Sequence, residues 1–170
     1  VELIETILAC FEIGAIATPI STNLTEKELS AVIDKIQPQL IITNWEHKSS
    51  LKAYSFPLAA IEELPNASHG CSIVKNNYVQ NLNDVAAIIL TSGTTGIPKA
   101  VQLTFGNFAK SVKNWNNFLN FRRGDQFLCC LPLHHIGGLA VLIRALKFGF
   151  SINIMNHFQE KVILNSIENY

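Results

Sequence analysis

The sequence is short of charge and has no imbalance of it. Charged side chains make up 15% of the 170 residues, and 13 basic groups against 13 acidic ones leave a formal net charge of +0. The lysines and arginines are mostly scattered singly and form no basic stripe, which argues against nucleic acid as a partner. A run of about 18 apolar residues, the length that spans a bilayer, is also missing. The longest candidates are residues 85–90 and 139–146, and Arg144 interrupts the second. No charged segment followed by an apolar one precedes the first helical pattern, so no secretory signal is expected and the beginning at Val1 reads as cut. Cysteine is sparse. Cys10, Cys71, Cys129 and Cys130 show neither C-x-x-C spacing nor a His at zinc spacing. They read as buried, reduced thiols, in keeping with a cytoplasmic protein. There is no internal repeat and no low-complexity tract.

What the chain does have is apolar content, 48% of its residues. That suits one compact domain with a core rather than a disordered chain, and fits a segment whose surface is partly covered by further protein. Leu3, Ile4, Ile7, Leu8 and Phe11 repeat at helical spacing and predict a helix ending near Gly14. Residues 15–20 predict a short strand closed by Pro19. Thr25 and Glu28 form a T-x-x-E capping box for a second helix that Pro38 stops, and residues 40–42 predict the next strand. This alternation predicts an α/β fold with mainly parallel sheets flanked by helices. Residues 45–80, broken by Pro57, Pro65, Asn66 and Gly70, read as a connection with one or two short elements. Strands are then predicted at 85–90, 100–104, 127–131 and 151–154. Helices are predicted around Phe108 to Leu119, over 139–148 up to Gly149, and around 162–167.

Between the strands at 85–90 and 100–104 lies Thr91-Ser92-Gly93-Thr94-Thr95-Gly96-Ile97-Pro98-Lys99. Two glycines permit left-handed backbone and close approach of a ligand. Hydroxyls on Ser92, Thr94 and Thr95, the backbone N–H groups between them and the Lys99 ammonium make an anion cradle suited to phosphate oxygens. Pro98 restricts the loop on the Lys99 side. A Walker A loop needs G-x-x-x-x-G-K-S/T leading into a helix. Here Lys99 follows proline and a strand follows Lys99, so a P-loop NTPase is disfavoured.

The nine residues meet every fixed position of the pattern (S/T)-S-G-(S/T)-T-G-x-P-K. The chain thereby resembles the adenylate-forming superfamily of acyl-CoA synthetases, luciferases and nonribosomal peptide adenylation domains. Residues 14–20 with Leu24-Thr25 resemble an early segment of that family. Leu103-Thr104 with Asn107-Phe108 resembles its strand-to-helix step after the loop, with Phe105 where many members carry His.

A second constellation, Leu131-Pro132-Leu133-His134-His135-Ile136-Gly137-Gly138-Leu139, resembles the family's P-(L/M)-(F/Y)-H-x-x-G segment. His135 aligns with its His and His134 with its aromatic. In relatives this segment borders the acyl pocket and the phosphates. The imidazole of His135 can donate to phosphate or carboxylate oxygens, and Gly137 and Gly138 are expected to leave space for a ligand and to open the next helix. His134 has equal standing as a packing residue. Two adjacent histidines rarely face one metal ion, and no third ligand is nearby, so no metal is assigned to protein side chains. Arg144 falls in an otherwise apolar helix and needs an anion, either a structural carboxylate or that of a substrate. The stretch from His135 to Arg144 is similar to the o-succinylbenzoate–CoA ligases of menaquinone synthesis, whose substrate carries a second carboxylate. Other acyl-CoA synthetases and adenylation domains stay open.

The resemblance implies a two-step reaction. A small-molecule carboxylic acid attacks Mg²⁺-bound ATP to give acyl-AMP and pyrophosphate, and coenzyme A then displaces AMP. It places Thr91, Ser92, Gly93, Thr94, Thr95, Gly96 and Lys99 at the ATP phosphates, and His135, Gly137, Gly138 and Arg144 on the acyl side. The family's adenine-binding, ribose-binding and hinge motifs, and a C-terminal domain with a catalytic Lys, lie downstream of any residue present. Residues 1–170 are therefore expected to be part of an N-terminal AMP-binding domain, inactive alone, with a catalytically incomplete binding remnant as the alternative. The oligomeric state is not legible.

Overall fold

The structure, a computed structural model, describes residues 2–64, 77–91, 98–155 and 158–169. Helix α1 (Glu2–Ile13) buries Ile7 and Phe11, one turn apart. Gly14 ends it at φ 75°, and the ring of Tyr78 lies so close that a Cβ at Gly14 would meet its carbons at 2.7 Å. The phenol of Tyr78 donates to Asp84 at 2.7 Å. This straps residues 78–84 across the end of α1.

The strand expected at 15–20 shrinks to one parallel bridge between Ala17 and Ala87. Ala17 N–H donates to Ala86 O at 3.0 Å, and Ile88 N–H donates to Ala17 O at 2.9 Å. The next ladder bond would need an N–H at position 19, and Pro19 has none. The proline thus stops the strand one bond after it begins.

Helix α2 (Glu26–Ile36) carries the capping box expected of it. Glu28 N–H donates to the Thr25 hydroxyl oxygen at 3.3 Å, and Thr25 N–H donates to the Glu28 carboxylate at 2.9 Å. Gln37, at φ 50°, caps the far end before Pro38. Strand β1 (Ile41–Thr43), helix α3 (Trp45–Leu51) and strand β2 (Leu58–Ala60) form a parallel β-α-β unit. A single 3-10 turn, Ile61–Glu63, follows β2. Helix α3 falls in the stretch read as a connection. Its apolar content shows no helical stripe, but the Asn44 side chain accepts from His47 N–H at 3.1 Å and nucleates it.

Strands β3 (Val85–Thr91) and β4 (Lys99–Thr104) form an antiparallel hairpin. Helix α4 (Phe105–Leu119) follows at once, capped by Thr104 and Asn107 in a reciprocal box. Its first turn is tied back: Phe105 N–H donates to Asp84 O, and Gly106 N–H to Leu82 O. Strand β5 (Gln126–Cys129), helix α5 (Ile136–Phe148) and strand β6 (Ser151–Ile154) make a second parallel β-α-β unit. Gly149 at φ 72° ends α5, and helix α6 (Glu160–Asn169) follows.

Among the described residues, two of the three strand pairs are parallel with a helical crossover, as the alternation predicts. One hydrophobic core joins α1, β3, α4 and α5 through Ile7, Phe11, Ala87, Ile89, Phe108, Leu139 and Leu142. A smaller cluster around Cys129, Val141, Ala145 and Phe150 seats α5 on β5 and β6.

Candidate functional site

Thr91 and Lys99 are the last register pair of the β3–β4 hairpin. The Thr91 hydroxyl points at Lys99 O across 3.5 Å, the outer limit for such a bond. Both side chains lie in exposed residues. Ser92, Gly93, Thr94, Thr95 and Gly96 lie outside the described residues. The strand is anchored from below by Ala86, Ala87 and Ile89, which are at most 3% exposed.

The His segment is positioned by backbone. His135 N–H donates to Pro132 O at 3.0 Å, and His135 O accepts from Gly138 N–H at 3.1 Å and Leu139 N–H at 3.0 Å. A Cβ on Gly138 would run into the carbonyl oxygens of Leu131 and Pro132, and one on Gly137 would meet the Leu131 side chain. These glycines open the helix as expected, but their side-chain directions are filled by protein rather than left free. Close approach of two backbone segments is what glycine permits here. The turn so made sets His135 at the N-cap of α5, with its imidazole unused for capping and the residue exposed. His134 is half-buried, and its ring centroid lies 4.4 Å from that of His135. Burial first, and the neighbouring His135 second, hold the His134 imidazole below the ordinary histidine range.

One core serves both parts. Leu139, fully buried in the first turn of α5, packs in the same cluster as Ala87 and Ile89 of β3. The hairpin that ends in the Gly/Thr loop and the helix that begins after His135 are therefore fixed on a common base.

Arg144 stands apart from them. It is nine residues beyond His135, roughly 13 Å along the helix axis. It is 6% exposed and faces α4, with its guanidinium over the Trp115 ring. No carboxylate among the described residues pairs with it, and its Nε is buried without a hydrogen-bond partner. Burial pushes its pKa down from the ordinary value. Sequence reading marked Trp115 only as a helix residue. Its pairing with a residue 29 positions later depends on how α4 packs on α5, which leaves no local signal.

Two grooves among the described residues lie away from both motifs. One of about 630 Å³ is lined by Phe11, Phe105, Phe108, Val112, Ile143 and Leu146 among others, and includes no residue of either motif. Phe105 is absorbed here, edge-on to Phe11 at 5.5 Å. No group of three or more His, Cys, Asp or Glu among the described residues could hold a metal ion. No described helix is long and apolar enough to cross a membrane.

The family described as AMP-binding enzyme matches residues 1–170. This chain belongs to that family. Within the AMP-binding enzymes it is 33% identical over 168 residues to a 2-succinylbenzoate–CoA ligase of Oceanobacillus iheyensis, covering 98% of the chain and 34% of the relative. Its fold matches o-succinylbenzoate CoA synthetase of Bacillus subtilis in complex with the acyl-adenylate intermediate OSB-AMP. The TM-score is 0.89 at 26% identity, over 99% of this chain and 44% of that one. A double mutant of the same synthetase, bound with its product analogue OSB-NCoA, matches with TM-score 0.89 at 27% identity, over 99% and 34%. The AMP-binding chain described here thus spans about a third of the length of the curated relatives it matches.

Proposed function

We propose that residues 1–170 form part of the N-terminal domain of an AMP-forming acid–thiol ligase that activates o-succinylbenzoate or a similar carboxylic acid. The observation that carries this reading is the motif of residues 91–99, intact at every fixed position, whose first and last residues pair in the β3–β4 ladder, in a chain similar throughout to 2-succinylbenzoate–CoA ligases. Ser92, Thr94, Thr95 and Lys99 would hold the β- and γ-phosphates of ATP while negative charge moves onto the leaving pyrophosphate, with Thr91, Gly93 and Gly96 shaping the turn. Such work is positional and electrostatic. His135 would donate to a phosphate or carboxylate oxygen on the acyl side, at a place set by Gly137 and Gly138. Hydroxyl, ammonium and imidazole donors suit phosphate oxygens better than they suit a bare Mg²⁺, so the ion would be held mainly through the phosphates. Coenzyme A would take the acyl group in a second step, using residues beyond this chain, and the parent would work in the cytoplasm. We place Arg144 on the acyl side as well, acting through its contact with Trp115 between α4 and α5.

The test is pyrophosphate exchange into ATP by the full-length parent, given o-succinylbenzoate or a panel of aromatic and fatty acids. Exchange is expected with one of them, and Lys99→Ala is expected to slow it by about 10²-fold or more. An absence of exchange with every acid would overturn the reading. The 170-residue chain alone is expected to form no acyl-AMP. Detecting acyl-AMP from it would show that the site is complete without the remaining two thirds of the relatives' length.

A further inference from the structure

His134 and His135 are neighbours with different surroundings. The backbone of His135 is held by its N–H donating to Pro132 O, by its carbonyl accepting from Gly138 and Leu139, and by the tight packing at Gly138. The side chain of His135 is exposed, caps nothing, and makes one described ring contact, with His134. The rings meet at 4.4 Å and an angle of 51°, tilted rather than stacked. His134 itself is half-buried, so it has a fixed place from which to hold its neighbour.

We infer that His134 is a positioning residue for His135: its half-buried ring buttresses the exposed imidazole. This rests on the proposed placing of His135 in the site. Two imidazolium rings in contact repel each other, and that repulsion is not screened away at this distance. Burial and the His135 charge both oppose a proton on His134, and these are the influences found on it among the described residues. A charge on His135 therefore disfavours a proton on His134, and an oxyanion bound at the exposed His135 offsets that charge. The ligand class is an oxyanion, phosphate or carboxylate, that accepts from the His135 ring and thereby eases protonation of His134.

The experiment is an NMR titration of the histidine ring carbons in the full chain, for the wild type, His135→Gln, His134→Phe and His134→Ala, with and without inorganic pyrophosphate. The midpoint of His134 is expected to move up in His135→Gln, because one opposing charge is gone while the burial remains. Pyrophosphate is expected to move the wild-type His134 midpoint up and to lose that effect in His135→Gln. The side-chain couplings of His135 are expected to average toward free rotation in His134→Ala but not in His134→Phe. An unchanged His134 midpoint in His135→Gln, or unchanged His135 couplings in His134→Ala, overturns the inference. Should His134→Ala fail to fold, the His135→Gln titration decides alone. None of these readouts requires turnover, so a parent without pyrophosphate exchange would sink the proposed function and leave this test standing.

Discussion

The guanidinium of Arg144 sits 4.6 Å above the centroid of the Trp115 ring. This contact joins the outer face of α4 to the inner face of α5. Arg144 Nε stays buried without a hydrogen-bond partner. Trp115 is 47% exposed, so this cation–π contact contributes about 1 kcal/mol, while burial of the charge opposes it.

Replacing Arg144 by methionine separates these terms. Arg144→Met removes a buried charge and keeps much of the volume, so urea unfolding should place it within about 1 kcal/mol of the wild type, or above it. Trp115→Ala keeps the charge and removes the ring over it, and should cost about 1 kcal/mol. A loss above about 3 kcal/mol for Arg144→Met would mean that a buried anionic partner had been broken instead.

The two glycines of α5 should respond unequally. Gly138→Ala drives a Cβ into two backbone carbonyls, which cannot swing aside, and should cost on the order of 2 kcal/mol or prevent folding. Gly137→Ala meets only the tip of Leu131, a side chain that can change rotamer, and should cost less. Thermal melts of the two variants side by side check the order. Equal losses would refute the backbone contact at Gly138.

The capping box of α2 should show a pH dependence of known sign. Hydrogen bonds from the Thr25 N–H and hydroxyl hold the Glu28 carboxyl below its ordinary range. A depressed acid contributes stability above its unfolded pKa and loses it as pH falls through the folded value. Thr25→Ala should therefore destabilise the chain at neutral pH, and the gap to wild type should narrow in acid. Urea curves at neutral and acidic pH measure it, and a gap that widens in acid contradicts the assignment.

Pro19→Ala would supply the missing donor opposite Ile88 O. The new amide should exchange with solvent more slowly than its neighbours by native-state hydrogen exchange, since the parallel bridge at Ala17 could then add a bond. Fast exchange at that amide would show that the chain diverges from β3 for another reason.

Much of this fold can be read along the chain because its signals are local. Thr25 and Glu28, Gly149 and the apolar run of β3 announced their elements within a few residues. Three features resisted for physical reasons. Helix α3 has no apolar stripe and depends on Asn44 and on the Lys48–Glu63 ion pair, the latter spanning 15 residues. Helix α5 starts three residues before its expected beginning. Gly137 and Gly138 were legible as opening that helix, but only the closeness of the Leu131 and Pro132 carbonyls shows why position 138 is glycine. The strand expected to run to position 131 ends at Cys129, because the chain turns at Pro132 to deliver His135. In the candidate site, the nine-residue motif was legible as pattern, whereas the partner of Arg144 depends on tertiary packing alone.

The two parallel ladders, β1 with β2 and β5 with β6, each hold only two strands among the described residues. Every one of those four strands thus presents a row of N–H and C=O groups without a ladder neighbour there. Such rows are templates for cross-molecule pairing. Solutions of the chain prepared by itself should scatter more light as they are concentrated, and clear on dilution or in mild urea.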